Sequence, residues 1–198
     1  DIDREYREKS TPIEEKAERV ATIEAGPLRG AMEFEHAIGT SSRLVVRYSL
    51  DTAARRVNVD LLVDWQETQT LLRAEFPTAI RARSATCGIQ FGSIDRPTHR
   101  NTSWEEARFE VPGHRWMDLS EPGRGFAVLD EAILGRSIEG SCLGLSLLRA
   151  TSFPDPTADR GTHRFRYALM PHDGDWRVAG VDAEAEAFND RLMVSTCE

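Results

Sequence analysis

Residues 56–63, RVNVDLLV, decide the fold class of this chain, because apolar and polar side chains alternate along them. Every second residue from Val57 to Val63 is apolar, and successive side chains of an extended strand point to opposite faces. This alternation predicts a half-buried β-strand. The stretch RLVVRYSL at residues 43–50 is predicted to be its hairpin partner, with residues 51–55 as the connecting loop.

Strand signals of the same kind continue from about residue 18 to residue 171, separated by Gly, Pro, Asp and Ser. Further strands are predicted at residues 125–129, 137–139, 142–148 and 163–170. Repeated short strands with turn residues between them are typical of sheets that pack face to face. We therefore predict an all-β fold, a large antiparallel sandwich of two sheets, in a single domain over residues 1–198.

Helix is favoured in two segments, a short charged run at residues 14–19 and the stretch 176–188. The second segment has apolar side chains at helical spacing, and Asp173 or Asp175 is placed to cap its start. It predicts a short C-terminal helix. Residues 151–161 are rich in Pro and Asp, and they are predicted to form a long exposed loop.

The composition argues against two classes of partner. Lys and Arg number 25 against 33 Asp and Glu, so the net charge is −8 and no basic footprint is available for a phosphate backbone. No apolar stretch approaches the roughly 20 residues that cross a bilayer. We therefore expect neither nucleic acid nor membrane as a partner.

Short motifs of catalytic and metal sites do not occur in this sequence. The three cysteines form no CxxC, and the five histidines form no HxH, HxxxH or HExxH spacing. Nucleophile-elbow, P-loop and dinucleotide-binding patterns do not occur either. A carboxylate pair of a glycosidase is defined by a separation in space, so the sequence nominates none. We expect no metal site in this chain, and the residues by themselves nominate no catalytic pair.

Two stretches combine side chains that suit sugar binding. RPTHRNTSW at residues 96–104 and HRWMDLS at residues 114–120 bring Trp, His, Arg and hydroxyl groups together at predicted strand ends. Such a mixture offers stacking surface and hydrogen-bond donors. The competing interpretation is structural, because Trp and His near strand ends commonly fill the edge of a core.

The same blocks resemble a known enzyme family. RPTHRNTSW, HRWMDLSE at residues 114–121, LSLLR at residues 145–149 and YALMPH at residues 167–172 are similar to the C-terminal region of glycoside hydrolase family 38 α-mannosidases. The resemblance spans nearly the whole chain and favours the cytosolic and vacuolar branch of that family. It implies a supersandwich that resembles the galactose mutarotase-like fold, in an enzyme of bacterial type.

The resemblance implies that the chain is part of a larger retaining α-mannosidase that hydrolyses terminal α-mannosides. Its catalytic β/α domain and a helical bundle would precede this chain, and they would carry the nucleophile and a divalent metal, expected to be zinc. The C-terminal domain would complete the wall of the active site and be inactive alone. The implied partners are an α-mannoside or oligosaccharide and the upstream domains of the same polypeptide, and the implied location is the cytoplasm.

Three residues are candidates for substrate binding. The resemblance implies that Arg149 matches an Arg at the rim of the substrate pocket, and the alternative is that it caps the loop at residues 154–156. His114, Trp116 and Asp118 occupy alternate positions and would share one face of a strand. We predict that this face is polar and turned inward, with Asp118 accepting a hydrogen bond from His114 or a loop amide.

Two other functions remain open on the sequence alone. One is an independent enzyme similar to aldose mutarotases, in which His99 or His114 would act as the acid. The other is a carbohydrate-binding or oligomerisation module with an exposed aromatic platform such as Trp104.

Overall fold

A computed structural model describes residues 9–13 and 16–190 of the chain. Over those residues the fold is mostly β, with two antiparallel sheets and three short helices, and the predicted fold class is confirmed. The strands are β1 Arg19–Ala25, β2 Arg29–Ile38, β3 Ser42–Asp51, β4 Val57–Trp65, β5 Leu72–Pro77, β6 Ser84–Ile89, β7 Gly92–Pro97, β8 Val111–Pro112, β9 Trp116–Glu121, β10 Arg124–Asp130, β11 Gly135–Glu139, β12 Cys142–Leu148 and β13 Gly161–His172. The helices are α1 Ser103–Glu106, α2 Trp176–Ala179 and α3 Val181–Asn189.

The described chain divides into two compact units. The first contains the described residues up to Arg73 together with Ser146–Arg166, and the second contains Ala74–Leu145 with the described residues from Tyr167 onward. Strand β13 begins in the first unit and ends in the second. The single domain over residues 1–198 stays a prediction.

The first unit is built on an antiparallel meander. Strands β1 to β4 pair in the order of the sequence, and β13 follows β4. The decisive alternation is confirmed, because Val59, Leu61 and Val63 of β4 are buried at 1%, 6% and 0% exposure. Val46 of β3 lies opposite Leu61, so the apolar faces of both strands of the predicted hairpin coincide.

A buried carboxylate holds the turn between β2 and β3. Glu67 accepts hydrogen bonds from the amide of Thr40 at 3.0 Å, from its hydroxyl at 3.0 Å, from the amide of Ser41 at 3.1 Å and from the hydroxyl of Ser42 at 2.8 Å. Burial alone raises the pKa of Glu67, but these hydrogen bonds outweigh it and hold the pKa below its usual value. The carboxylate therefore stabilises the fold only while it is ionised.

We expect Glu67→Gln to lower the free energy of unfolding by about 1–2 kcal/mol at neutral pH, because the amide replaces charge-assisted hydrogen bonds by weaker ones. The pKa of Glu67 is lower in the folded state, so its contribution is complete above the unfolded value of about 4.3 and is lost as the pH falls through the folded value. Urea unfolding at neutral and acid pH tests this. A difference between variant and wild type that does not shrink in acid would contradict it, and Glu24→Gln on the exposed end of β1 is the control.

The second unit contains two sheets that face each other. Its larger sheet has the order β13-β10-β9-β6-β7, and the smaller one has the order β5-β12-β11-β8. The ring of Phe76 on β5 lies 6.5 Å from that of Phe126 on β10 and 5.4 Å from that of Tyr167 on β13. The larger sheet also packs against α2 and α3 through a buried cluster of Trp116, Ala127, Leu129, Ala168, Met170, Ala179, Val181, Ala185 and Phe188.

The predicted helix over residues 176–188 is two helices. Gly180 has a φ of 68° and separates α2 from α3, a left-handed position that glycine adopts without a Cβ penalty. Asp175 caps α2, as expected, by accepting from the amides of Arg177 at 2.9 Å and Val178 at 3.0 Å. The break turns Val178 outward, and its side chain is 82% exposed. No helix within the described ranges is long and apolar enough to cross a bilayer.

One other expectation on helices is wrong, and one helix was not expected. The predicted helix at residues 14–19 does not form at its described positions, because 16–18 are irregular and Arg19 begins β1; residues 14–15 lie outside the described residues. Pairing with β2 outweighs local helix propensity there, since Arg19 lies opposite Glu35 and forms an ion pair with it at 2.8 Å. Helix α1 was not expected. The predicted loop at residues 151–161 is irregular up to residue 160, as expected.

Candidate functional site

Arg149 lies on the surface of the first unit, directly after β12. Its main chain is fixed by a carboxylate, because Asp159 Oδ2 accepts from the amide of Arg149 at 3.1 Å and from that of Ala150 at 2.8 Å. Ala150 has a left-handed φ of 49°, and its carbonyl accepts from the amide of Gln69 at 2.7 Å, so three hydrogen bonds hold this turn. The main chain that carries Arg149 is thus held independently of the Arg149 side chain.

The adjacent loop at residues 154–156 has its own carboxylate contacts. Asp155 accepts from the amide and from the hydroxyl of Thr157, both at 2.8 Å. These hydrogen bonds lower the pKa of Asp155. The loop is therefore ordered locally by Thr157, and the predicted substrate contact of Arg149 stays a prediction beside the loop-capping alternative.

Asp118 is buried in the second unit, with 2% of its surface exposed. The prediction that His114 or a loop amide donates to Asp118 is wrong. The donors are the hydroxyl of Ser120 and Nε2 of His172, the latter at 2.7 Å. Strand pairing explains this choice. Gly125 of β10 lies opposite Ser120 on β9 and His172 on β13, and a Cβ on Gly125 would overlap both side chains.

Both oxygens of the Asp118 carboxylate therefore have a donor within the described residues. Burial raises the pKa of Asp118, and the hydrogen bonds from Ser120 and His172 act against this effect. Because the carboxylate is also buried, it is suited to ordering β9 and β13 rather than to accepting from a ligand. Substrate binding by Asp118 stays a prediction, with this geometry against it.

His114 does not share a strand with Asp118. Trp116 donates its amide to the carbonyl of His114 at 2.8 Å, and Arg115 between them has a φ of 65°. This is a tight turn of three residues, and β9 begins only after it. His114 therefore does not belong to the strand face that carries Trp116 and Asp118. His114 instead lines a surface cavity of about 510 Å³, together with Arg115 and residues of the β6–β7 turn and α3.

A fully buried ion pair in the second unit was missed by sequence reasoning. Arg136 of β11 and Asp130 of β10 both have 0% exposure, and Arg136 Nη2 lies 2.7 Å from Asp130 Oδ2. Ile133 ties the pair to the loop, because its amide donates to Asp130 at 3.1 Å and its carbonyl accepts from Arg136 at 3.3 Å. Burial raises the pKa of Asp130, and the Arg136 guanidinium acts against this effect.

The stretch at residues 96–104 contains the capped start of a helix that sequence reasoning missed. Thr102 caps α1 and accepts from the amide of Glu105 at 3.2 Å, while Glu105 accepts in return from the amides of Asn101 at 2.7 Å and Thr102 at 3.1 Å. His99 lies 3.5 Å from Glu105. These contacts favour the structural interpretation of the stretch, although Trp104 is 79% exposed.

The described residues do not fit a resident metal ion. Within residues 9–13 and 16–190, no group of three or more His, Cys, Asp and Glu side chains is close enough to hold one. A zinc site needs three or four such ligands at about 2.0–2.3 Å.

The chain is similar to one enzyme family along most of its length. The family described as "Glycosyl hydrolases family 38 C-terminal domain" matches residues 1–157. "Alpha-mannosidase 2C1" of Homo sapiens is 46% identical over 188 residues, which are 95% of this chain and 18% of the human protein. "Alpha-mannosidase G" of Dictyostelium discoideum is 40% identical over 181 residues, which are 87% of this chain and 16% of that protein.

Solved structures show the same fold. An α-mannosidase from Enterococcus faecalis V583 superposes with a TM-score of 0.79 over 86% of this chain and 24% of that one, at 12% identity. At this identity the likeness concerns the fold alone. The sequence relatives named above come from eukaryotes, so they give no support to the expected bacterial type. The chain spans less than a fifth of the length of these relatives.

Proposed function

This chain belongs to glycosyl hydrolase family 38 through the C-terminal domain of that family, and we propose that it forms the corresponding part of an α-mannosidase that hydrolyses terminal α-mannosides. One observation carries this proposal, the 46% identity to "Alpha-mannosidase 2C1" over 95% of the chain. The role we assign to the chain is to complete the wall of the active site rather than to supply its reacting groups.

Arg149 is the residue through which the chain meets the substrate in this proposal. A guanidinium presents several donors in a rigid fork, which suits two neighbouring sugar hydroxyls. Its exposed position supports such a contact, and Asp159 holds the main chain from which the side chain extends.

The reacting groups of the proposed enzyme lie in its other domains. A retaining glycosidase uses two carboxyl groups about 5–5.5 Å apart, one as nucleophile and one as acid and base. In the described part of this chain the buried carboxylates Glu35, Glu67, Asp118 and Asp130 all have donors or a guanidinium partner, and no metal cluster is present. We propose that the nucleophile and a divalent metal, expected to be zinc, belong to upstream domains of the same polypeptide.

The partners in this proposal are an α-mannoside or mannose-containing oligosaccharide and the upstream domains. We place the enzyme in the cytoplasm, in agreement with the resemblance to the cytosolic and vacuolar branch. This location is tested by fractionating cells that express the polypeptide carrying this chain.

We expect the chain by itself to hydrolyse no aryl α-mannoside, with or without added zinc or cobalt, because it lacks the reacting groups. The longer polypeptide that carries it should hydrolyse the same substrate, and release of the aryl group measured by absorbance compares the two. Turnover by the chain that survives chelation and repurification would refute the assigned role. Failure of the longer polypeptide to hydrolyse any α-mannoside would refute the proposed activity.

A further inference from the structure

The cavity beside His114 has two strained residues on its wall. It measures about 510 Å³, within the range of about 300–1,000 Å³ of small-molecule sites. Phe91 and Arg115 line it, and both have left-handed backbone conformations, with φ of 63° and 65°. Such conformations cost a side-chain-bearing residue about 1–2 kcal/mol and cluster at ligand-binding sites. Both residues belong to tight turns, the β6–β7 hairpin and the turn at residues 114–116, and these turns fix the wall of the cavity.

Phe91 presents an aromatic ring that the fold does not use. It stands in the turn between β6 and β7, where Ile89 pairs with Gly92, and its side chain is fully exposed. Burial of a phenylalanine ring is worth about 1.5–3 kcal/mol, and this ring does not contribute that energy to folding. An aromatic face beside a cavity is suited to stack on the C–H face of a pyranose.

The polar side chains of the cavity make few contacts with the rest of the protein. His114, Arg115, Asp182 and Glu186 all line it, and Asp182 and Glu186 stand one turn apart on the same face of α3. Within the described residues none of these four side chains makes a hydrogen bond or an ion pair, although Arg115 shares the cavity with the two carboxylates. The donors and acceptors of Arg115, Asp182 and Glu186 are available to a ligand, whereas His114 also interacts electrostatically with the buried Asp130.

We propose that this cavity binds one pyranose unit of an α-mannoside glycan. Phe91 stacks on the sugar ring, Asp182 and Glu186 accept hydrogen bonds from its hydroxyls, and Arg115 and His114 donate to its oxygens. A mixture of donors and acceptors around an aromatic ring suits a neutral polyhydroxyl ligand better than an ion. The choice of mannose rests on the proposed function, whereas the chemistry of the cavity requires only a pyranose.

The test titrates the chain with methyl α-D-mannopyranoside and follows binding by calorimetry and by NMR shifts of the β6–β7 turn and α3. Wild type should show saturable binding. Phe91→Ala should bind at least tenfold more weakly without loss of stability, because the ring is fully exposed in the fold. Trp104→Ala is the matched control, since Trp104 is also an exposed aromatic residue but does not line the cavity, and its affinity should equal that of wild type.

A second pair of variants tests the carboxylates. Glu186→Gln should weaken binding severalfold, whereas Glu184→Gln on the same helix, outside the cavity lining, should leave the affinity unchanged.

Absence of saturable binding by wild type would overturn the proposal, and so would binding that Trp104→Ala abolishes and Phe91→Ala preserves. Hydrolysis is measured separately on the longer polypeptide. If the chain binds the sugar but the longer polypeptide hydrolyses no mannoside, the site is supported and the proposed function is refuted. If the longer polypeptide hydrolyses mannosides but the chain binds no sugar, the proposed function is supported and the site is refuted.

Discussion

Asp130→Asn should lower the free energy of unfolding by about 3–5 kcal/mol, the largest effect of a single substitution that we expect in this chain. Asparagine has the shape of aspartate and keeps an oxygen for the amide of Ile133, so the change removes little except the negative charge. Arg136 would remain without exposure and without its counter-charge. Water cannot replace the lost partner at a fully buried site. The free energy of the folded state is therefore raised by the desolvation cost of the guanidinium.

Chemical denaturation followed by circular dichroism measures this effect. The double variant Asp130→Leu with Arg136→Met removes both charges, and its stability should return to within about 2 kcal/mol of wild type. Asp51→Asn is the control for an exposed pair with Arg29, and it should cost less than about 1 kcal/mol. Equal costs for Asp130→Asn and Asp51→Asn would show that burial does not determine the strength of the effect.

Arg149→Ala, made in the longer polypeptide that carries this chain, should lower kcat/KM by roughly ten- to a hundredfold. A hydrogen bond from a guanidinium to a sugar hydroxyl in a closed site contributes about 1.5–3 kcal/mol, which converts to a factor of that size. The variant should still fold. The amides of Arg149 and Ala150 donate to Asp159, and truncation of the side chain leaves those bonds in place.

The alternative for Arg149 makes the opposite prediction. If its side chain caps the loop at residues 154–156, the variant should melt at a lower temperature while the folded fraction keeps normal kinetics. Asp159→Ala is the comparison variant, because it removes the acceptor of both amides and should lower the melting temperature. Both quantities are measured on one preparation, and normal kcat/KM in a well-folded Arg149→Ala enzyme would exclude Arg149 from the site.

The strands could be predicted from the sequence because their signal is local. Alternation along residues 56–63 needs only the geometry of an extended chain and one buried face, and Val59, Leu61 and Val63 are buried as it required. The glycine at position 180 could be read from the sequence as a helix break. The apolar side chains before and after it also fit one continuous helix, however, and the structure shows that Gly180 is left-handed. The capping box of Thr102 and Glu105 was another local signal that could have located α1.

The candidate site was predicted less well, because its contacts join residues that are distant in sequence. Which donor reaches Asp118 depends on the pairing of β9 and β13 with β10, and this pairing selected His172 instead of the neighbouring His114. The tight turn at Arg115 removed His114 from the strand.

The sequence by itself determined the fold class and, through long matching blocks, the family. Both are properties of consecutive residues, since periodicity and block identity do not depend on where the rest of the chain lies. Only the tertiary structure decided the pairing of Asp130 with Arg136 and the cavity beside Phe91 and Glu186. Phe91 and Glu186 are far apart in sequence and meet only when the chain folds. Asp130 and Arg136 are six residues apart, but they belong to strands of different sheets, and the packing of those sheets buries both charges, which no local pattern records.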